Sequence, residues 1–321
     1  MPLLKSAYLG GPAYLYNGHL QTIIPSLIRK VTDVVYERER ITLPDGDFLD
    51  LDWIDRGQNR LVILTHGLEG NSSRQYILGT AKLFSQDGYD VLAWNCRSCS
   101  GEMNSQFRLY NHGEIDDIAS VVAHALRTKS YDEVVLVGYS MGGNIILKYL
   151  GVHGNAIPAA IKKGIAISSP TDLGASASLL DWPTNRIYRN RFMKKLIRKL
   201  NQKAERFPGR LDMDKLKEVK RWRDFDDFFS APVNGYLNAD DFYQQASAIN
   251  FMPGITVPVL LLNAQNDPLL SSECSPDWLA KAHKTIYLET PPTGGHVGFM
   301  LSRDTYTYAE RRALAFAQGT I

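Results

Sequence analysis

The chain has 321 residues, 44% of them hydrophobic and 22% charged, enough apolar side chain for a sizeable core and too much for a disordered segment. Its 36 basic and 34 acidic residues leave a formal charge of +2, too balanced for a nucleic-acid-binding protein. Three cysteines exclude a disulfide framework and point to a reducing compartment. Met1 to Leu15 lacks a charged stretch leading into a long apolar core, and no apolar run reaches about eighteen residues. The sequence therefore predicts neither a signal peptide nor a membrane span, and a cytoplasmic location. A chain of this length holds one large α/β domain or two smaller ones.

Residues 1–35 contain the turn pieces Gly10-Gly11-Pro12 and Asn17-Gly18 and an apolar stretch from Ile23 to Ile28, and read as a mostly irregular arm. Glu39 to Leu43 and Phe48 to Ile54 flank Pro44-Asp45-Gly46, a turn signature, and predict an antiparallel hairpin. In the second strand Phe48, Asp50, Asp52 and Ile54 alternate with Leu49, Leu51 and Trp53, the pattern of a half-buried strand. Leu61 to Thr65 is an unbroken apolar run, as in a strand covered on both faces. It leads into His66-Gly67-Leu68-Glu69-Gly70, a helical pattern through Ile77 to Phe84, and a strand at Val91 to Asn95. A loop follows from Cys96 to Gly113. A helix then opens at Glu114 with acids in its first turn, where the helix dipole favours them. Asp116 and Asp117 read as such terminal acids and not as a catalytic pair.

Further strands are predicted at Val134 to Val137, Gly164 to Ser168, Val259 to Leu262 and Thr285 to Leu288, with a closing helix over about Thr305 to Ala317. From Pro170 to about Pro253 the alternation stops, and a charged, aromatic, helical stretch reads as a cap inserted over the sheet. Strands alternating with helices imply a mainly parallel sheet flanked by helices. The expectation is one α/β domain over 1–321, with the helical cap at 170–253 inserted within it.

The chain is organised around Val134-Val135-Leu136-Val137-Gly138-Tyr139-Ser140-Met141-Gly142-Gly143. Buried-strand character runs into G-x-S-x-G, and an apolar helical stretch follows at once, the context of a nucleophile elbow. The glycines leave room for the close approach of strand and helix. A serine hydroxyl needs a base, and that base needs an orienting carboxylate. After such an elbow the chain order is Ser, then Asp or Glu, then His. His296, in the loop Pro292 to Gly298 after a strand, is the favoured base over His283. Asp267, just after the strand at 259–262, is the favoured acid over Asp172. The oxyanion hole is assigned to the N–H groups of Met141 and Leu68. His66 precedes the serine and reads as a structural loop residue.

His19-Leu20-Gln21-Thr22, Leu43-Pro44-Asp45-Gly46, His66-Gly67-Leu68-Glu69-Gly70, Gly138 to Asn144 and Gly295-His296-Val297-Gly298-Phe299 together resemble the YheT-like branch of the α/β-hydrolase superfamily. That branch includes bacterial hydrolases and membrane-anchored lipid esterases of eukaryotes. The resemblance runs over nearly the whole chain. It implies an α/β-hydrolase fold, the Ser140, Asp267, His296 set, and hydrolysis of carboxylic or lipid esters. Two departures fall in one loop: Arg97-Ser98-Cys99-Ser100-Gly101 stands for Arg-Gly-Cys-Ser-Gly, and Tyr110-Asn111-His112-Gly113-Glu114 for Tyr-His-Ser-Gly-Glu. They bear on substrate choice more than on the reaction.

Cys96-Arg97-Ser98-Cys99 has C-x-x-C spacing but no second pair, since Cys274 stands alone, so no metal is expected. The segment 186–200 carries seven basic residues (Arg186, Arg189, Arg191, Lys194, Lys195, Arg198, Lys199) interleaved with apolar ones and no acid. It can meet a membrane surface or an acidic lipid. The favoured reading is a cap helix with a solvated basic face, neutralised by acids such as Asp224, Asp226 and Asp227. The sequence thus predicts a serine esterase acting on small-molecule or lipid esters without metal or organic cofactor. Acyl transfer to an alcohol would use the same residues, and a non-catalytic binding protein on the same scaffold is the alternative of a different class.

Overall fold

The computed structural model describes residues 3–321. Among the described residues nine strands form one sheet: β1 (Leu3–Leu4), β2 (Glu37–Thr42), β3 (Phe48–Ile54), β4 (Arg60–Thr65), β5 (Asp90–Asn95), β6 (Glu133–Tyr139), β7 (Ile161–Ile167), β8 (Val259–Leu262) and β9 (Ile286–Glu289), in the order β1-β9-β8-β7-β6-β4-β5-β3-β2. The pairs β2–β3 and β3–β5 are antiparallel and every other pair is parallel. The hairpin expected around Pro44-Asp45-Gly46 is present. Gly46 takes φ 78° in its turn, and Asp45 Oδ1 accepts from the Asp47 N–H at 3.1 Å.

Alternation along the central strands builds two cores. Val134 and Leu136 of β6 face α3 (Asp116–Thr128) and α4 (Met141–His153), packing with Ile118, Val122 and Ile145. Val135 and Val137 face the other way, onto Ile77 and Phe84 of α2 (Gln75–Gln86) and Phe316 of α11 (Tyr308–Gln318). Both faces of the sheet are therefore covered, which is why these strands read as continuous apolar runs.

Two expectations need correction. The arm is not irregular throughout: α1 (Gly18–Ile28) is an eleven-residue helix with Pro25 inside it. The Asn17 side chain caps it by accepting from the Leu20 N–H at 2.9 Å. Nor is β3 exposed on its polar face. Asp50 and Asp52 are buried, because Arg40 and Arg38 of the neighbouring strand lie across them in paired contacts of 2.7–2.9 Å.

Between β7 and β8 the chain forms α5 (Leu173–Leu180), α6 (Arg186–Arg206), α7 (Trp222–Phe225), α8 (Ala231–Val233) and α9 (Ala239–Ala246). These helices have apolar clusters of their own, one around Leu173, Trp222 and Phe242 and one around Leu200, Phe225 and Phe229. Asn144 of α4 ties them to the sheet: its Nδ2 donates to the carbonyls of His112 and Ala246, and its Oδ1 accepts from the Ala248 N–H. The remaining helix, α10 (Asp277–Ala282), precedes β9. No helix among the described residues is long and apolar enough to cross a membrane.

Candidate active site

Ser140 is the single residue between the end of β6 and the start of α4, and it takes φ 53° and ψ −122°. That conformation is costly for a residue with a Cβ, by roughly 1–3 kcal/mol, and the surrounding packing imposes it. A Cβ on Gly142 would collide with the Thr65 carbonyl, and one on Gly138 with the Gly142 carbonyl. Strand and helix thus approach as closely as backbone allows. The Ser140 N–H donates to the Ile167 carbonyl at 2.8 Å, and its own carbonyl accepts from Gly143 and Asn144. The hydroxyl is left standing beyond the end of the sheet.

His296 and Asp267 meet that hydroxyl. His296 Nε2 lies 2.9 Å from Ser140 Oγ, and Nδ1 lies 2.8 Å from Asp267 Oδ2. With Nδ1–H donating to the carboxylate, Nε2 is the acceptor for the serine proton. The second carboxylate oxygen, Oδ1, accepts from the Leu269 N–H at 2.8 Å, which fixes the carboxyl plane. Asp267 is withdrawn from solvent while the imidazole keeps a partly open edge.

The loop bearing His296 is held from the other end of the chain. The His296 N–H donates to Thr22 Oγ1, and the Gly294 N–H to Gln21 Oε1, both in α1. Gln21 Oε1 also accepts from Asn266 Nδ2, whose Oδ1 accepts from the Gly295 N–H, so one amide pair locks the Asp267 loop to the His296 loop. Val297, at φ 62°, donates to Ser168 Oγ. Gln21, Thr22, Asn266 and Ser168 are the site residues that spacing arguments alone do not reach. The signal for the first two was their place in His19-Leu20-Gln21-Thr22.

The N–H groups of Leu68 and Met141 donate to no protein acceptor among the described residues. Met141 opens α4, so its N–H is one of the unpaired donors of a helix N-terminus, where the dipole favours negative charge. His66 is held neutral: Nδ1–H donates to the Gly67 carbonyl at 2.7 Å, Nε2 accepts from the Cys96 N–H at 3.1 Å, and burial pulls its pKa down to about 4. It supports the Leu68 loop from below.

The other candidates lie elsewhere. His283 contacts the Pro253 carbonyl and Thr285, and Asp172 caps α5 by accepting from the Ala175 N–H. Asp117 is no simple terminal acid but receives Arg97, which also reaches Asp45 and Asp47 and so ties the β2–β3 turn to the Cys96 loop. No group of His, Cys, Asp and Glu with metal-binding geometry occurs among the described residues. The basic segment is helical, as α6, but Asp224 and Asp227 do not neutralise it, because they pair with Arg221 and Arg223. Instead Arg189 pairs with Asp181 and Lys199 with Glu69.

A chamber opens from Ser140 and His296 into the space under α5 to α9, lined by Leu173, Leu196, Trp222, Phe225, Phe229 and Phe242 among others. The sequence model of the alpha/beta hydrolase fold matches residues 60–302. The chain belongs to the α/β-hydrolase family. This hydrolase is 33% identical to YheT of Escherichia coli K12 over 88% of its own length and 84% of that protein. It is 29% identical to phospholipase ABHD3 of Mus musculus, covering 94% of this chain and 76% of the other. The monoacylglycerol lipase of Saccharomyces cerevisiae is 29% identical over 76% of this chain and 55% of that one. Among solved structures, the esterase PF2001 of Pyrococcus furiosus superposes with a TM-score of 0.57 at 18% identity, covering 90% of this hydrolase and 94% of the esterase, a likeness of fold.

Proposed function

We propose that the protein is a serine hydrolase of carboxylic esters with an apolar acyl chain, in which α5 to α9 act as a cap. The supporting observation is the pair of hydrogen bonds, 2.9 and 2.8 Å, that runs from Ser140 through His296 to Asp267 at the mouth of an apolar chamber. Relatives named as a phospholipase and a monoacylglycerol lipase agree with ester chemistry on lipid-like substrates.

In this reading Ser140 Oγ attacks the ester carbonyl carbon while its proton passes to His296 Nε2. Asp267 holds the imidazole in the tautomer that can accept it and stabilises the imidazolium that results. The carbonyl oxygen, now negative, receives the N–H groups of Leu68 and Met141. Collapse breaks the bond to the leaving alcohol, which takes the proton from His296. Water then attacks the acyl-enzyme with His296 again as base, and the free acid leaves. The chamber takes the acyl chain, whose burial contributes about 0.8 kcal/mol per methylene.

Intact mass after treatment with a fluorophosphonate probe tests the reading. One adduct is expected on the wild type and none on Ser140→Ala, with release of free acid from short- and medium-chain esters by the wild type alone. An adduct that survives in Ser140→Ala, or a folded wild type that takes no label even with detergent present, would refute it.

A further inference from the structure

Ser140 and His296 open onto a second space as well as the chamber. A groove runs from them between α1, the 67–76 loop and the outer side of α6, past Pro25, Ile187 and Val297. Its charged lining is mainly cationic: Arg74 from the loop, and Arg191 and Lys195 from α6, against the single acid Glu69. Residues four apart on a helix share a face, so Arg191 and Lys195 look into the groove while Leu196 and Leu200 line the chamber. One helix therefore presents an apolar wall to one side of the serine and a basic wall to the other.

These cations are not neutralised by the protein. Among the described residues none of the three has a carboxylate within ion-pair distance. The one acid lining the groove, Glu69, is engaged by Lys199 Nζ at 2.7 Å and by the Tyr110 hydroxyl at 2.5 Å. Lys195 spends one N–H on the Glu69 carbonyl oxygen at 3.0 Å. Its ammonium is held below the ordinary lysine range by partial burial, and the cations of Arg74, Arg191 and Lys199 push it further down against the pull of Glu69. Like charges gathered beside a reacting group, without counter-ions, are a cost that a bound anion removes.

We propose that Arg74, Arg191 and Lys195 form a subsite for an anionic group, a phosphate or carboxylate, carried on the leaving-alcohol side of the substrate. The assignment of the two sides to acyl and alcohol rests on the serine-hydrolase reading; the anion site itself does not. The preferred ligand is then an amphiphile with one apolar chain in the chamber and an anion a few bonds beyond the position of Ser140. A neutral ester fills only half of this site.

Calorimetric titration of the Ser140→Ala protein with monomeric octyl phosphate, octanol and inorganic phosphate tests the proposal directly. Octyl phosphate is expected to bind at least about tenfold more tightly than either fragment, one charge-assisted contact being worth roughly that factor. Arg191→Gln and Lys195→Gln are each expected to weaken octyl phosphate by about tenfold. In the Ser140-containing protein, kcat/KM for the octanoyl ester of glycerol 3-phosphate should exceed that for octanoylglycerol. That ratio should collapse towards unity when Arg191 and Lys195 are both replaced. Equal affinity for octyl phosphate and octanol overturns the proposal, as does inorganic phosphate binding as tightly as octyl phosphate, since the anion site would then be unconnected to the chamber. Binding to vesicles of anionic lipid without binding to monomeric octyl phosphate overturns it in favour of surface attraction. If octyl phosphate binds as expected while fluorophosphonate never labels Ser140, the hydrolase reading fails and the anion subsite stands.

Discussion

Replacing Asp267 by Asn probes the hydrogen-bond chain at its buried end. The two carboxylate oxygens are already committed, Oδ2 to His296 Nδ1 and Oδ1 to the Leu269 N–H, each at 2.8 Å. An asparagine side chain can be seated in two ways. With its carbonyl towards Leu269, the NH2 group donates to Nδ1, the imidazole proton moves to Nε2, and His296 can no longer accept from Ser140. With its carbonyl towards His296, the NH2 group faces the Leu269 N–H, donor against donor in a buried place, at a cost of about 1–3 kcal/mol. The first seating therefore dominates, and it carries the wrong tautomer. The expected loss in kcat is about 10⁴-fold, about 5 kcal/mol of transition-state stabilisation, by analogy with the same change in serine proteases. The assay is steady-state hydrolysis of a soluble p-nitrophenyl ester beside fluorophosphonate labelling rates, with the melting temperature as a check on folding. Asp172→Ala serves as the contrast: it removes the α5 cap and should cost about 1 kcal/mol of stability with kcat intact. A loss of less than tenfold for Asp267→Asn in a folded protein would refute the assignment of Asp267 as the orienting carboxylate.

Gln21→Leu should act at a distance from the chemistry. It strands the Gly294 N–H and Asn266 Nδ2 without their common acceptor, so a destabilisation of about 2–4 kcal/mol in denaturant unfolding and a lower kcat are expected; a change under about 0.5 kcal/mol would mean that α1 does not hold the loop. His66 makes stability depend on pH. Its pKa falls from the ordinary 6.5 to about 4 on folding, so below 6.5 the unfolded chain binds a proton that the native protein refuses. The contribution is full above pH 6.5 and is lost as pH falls to about 4, amounting to about 3 kcal/mol. Unfolding midpoints measured across this window should fall less steeply in His66→Gln, and an unchanged slope would rule out the buried neutral imidazole as the cause.

Much of the site could be read from the sequence because its signals are local. The elbow is a contiguous strand, turn and helix, and the favoured acid and base each follow directly on a strand. What was hidden depends on partners far along the chain. The segment around Gly18 and Pro25 reads as broken, yet it forms a helix because Asn17 caps it and the His296 loop packs on it. Asp50 and Asp52 look like the wet side of a strand until Arg38 and Arg40 are laid across them. The charge of α6 suggested neutralisation by the acids at 224–227, whereas its paired residues reach Asp181 and Glu69, the latter in the loop after β4. Composition and period cannot report contacts of that kind, because they contain no information on which distant residue completes a buried charge.

The clasp of α1 on the His296 loop also orders events during synthesis. Gln21 and Thr22 are made before the backbone groups they hold, at Gly294 and His296, which come more than two hundred and seventy positions later. The elbow and α5 to α9 all precede that loop in the order of synthesis. The proposed base gains its full set of contacts only once its own loop, beyond β9, has emerged and α1 has closed on it. Loop closure over so long a separation comes late in folding. The proposed nucleophile is thereby made well before the loop that carries its proposed base.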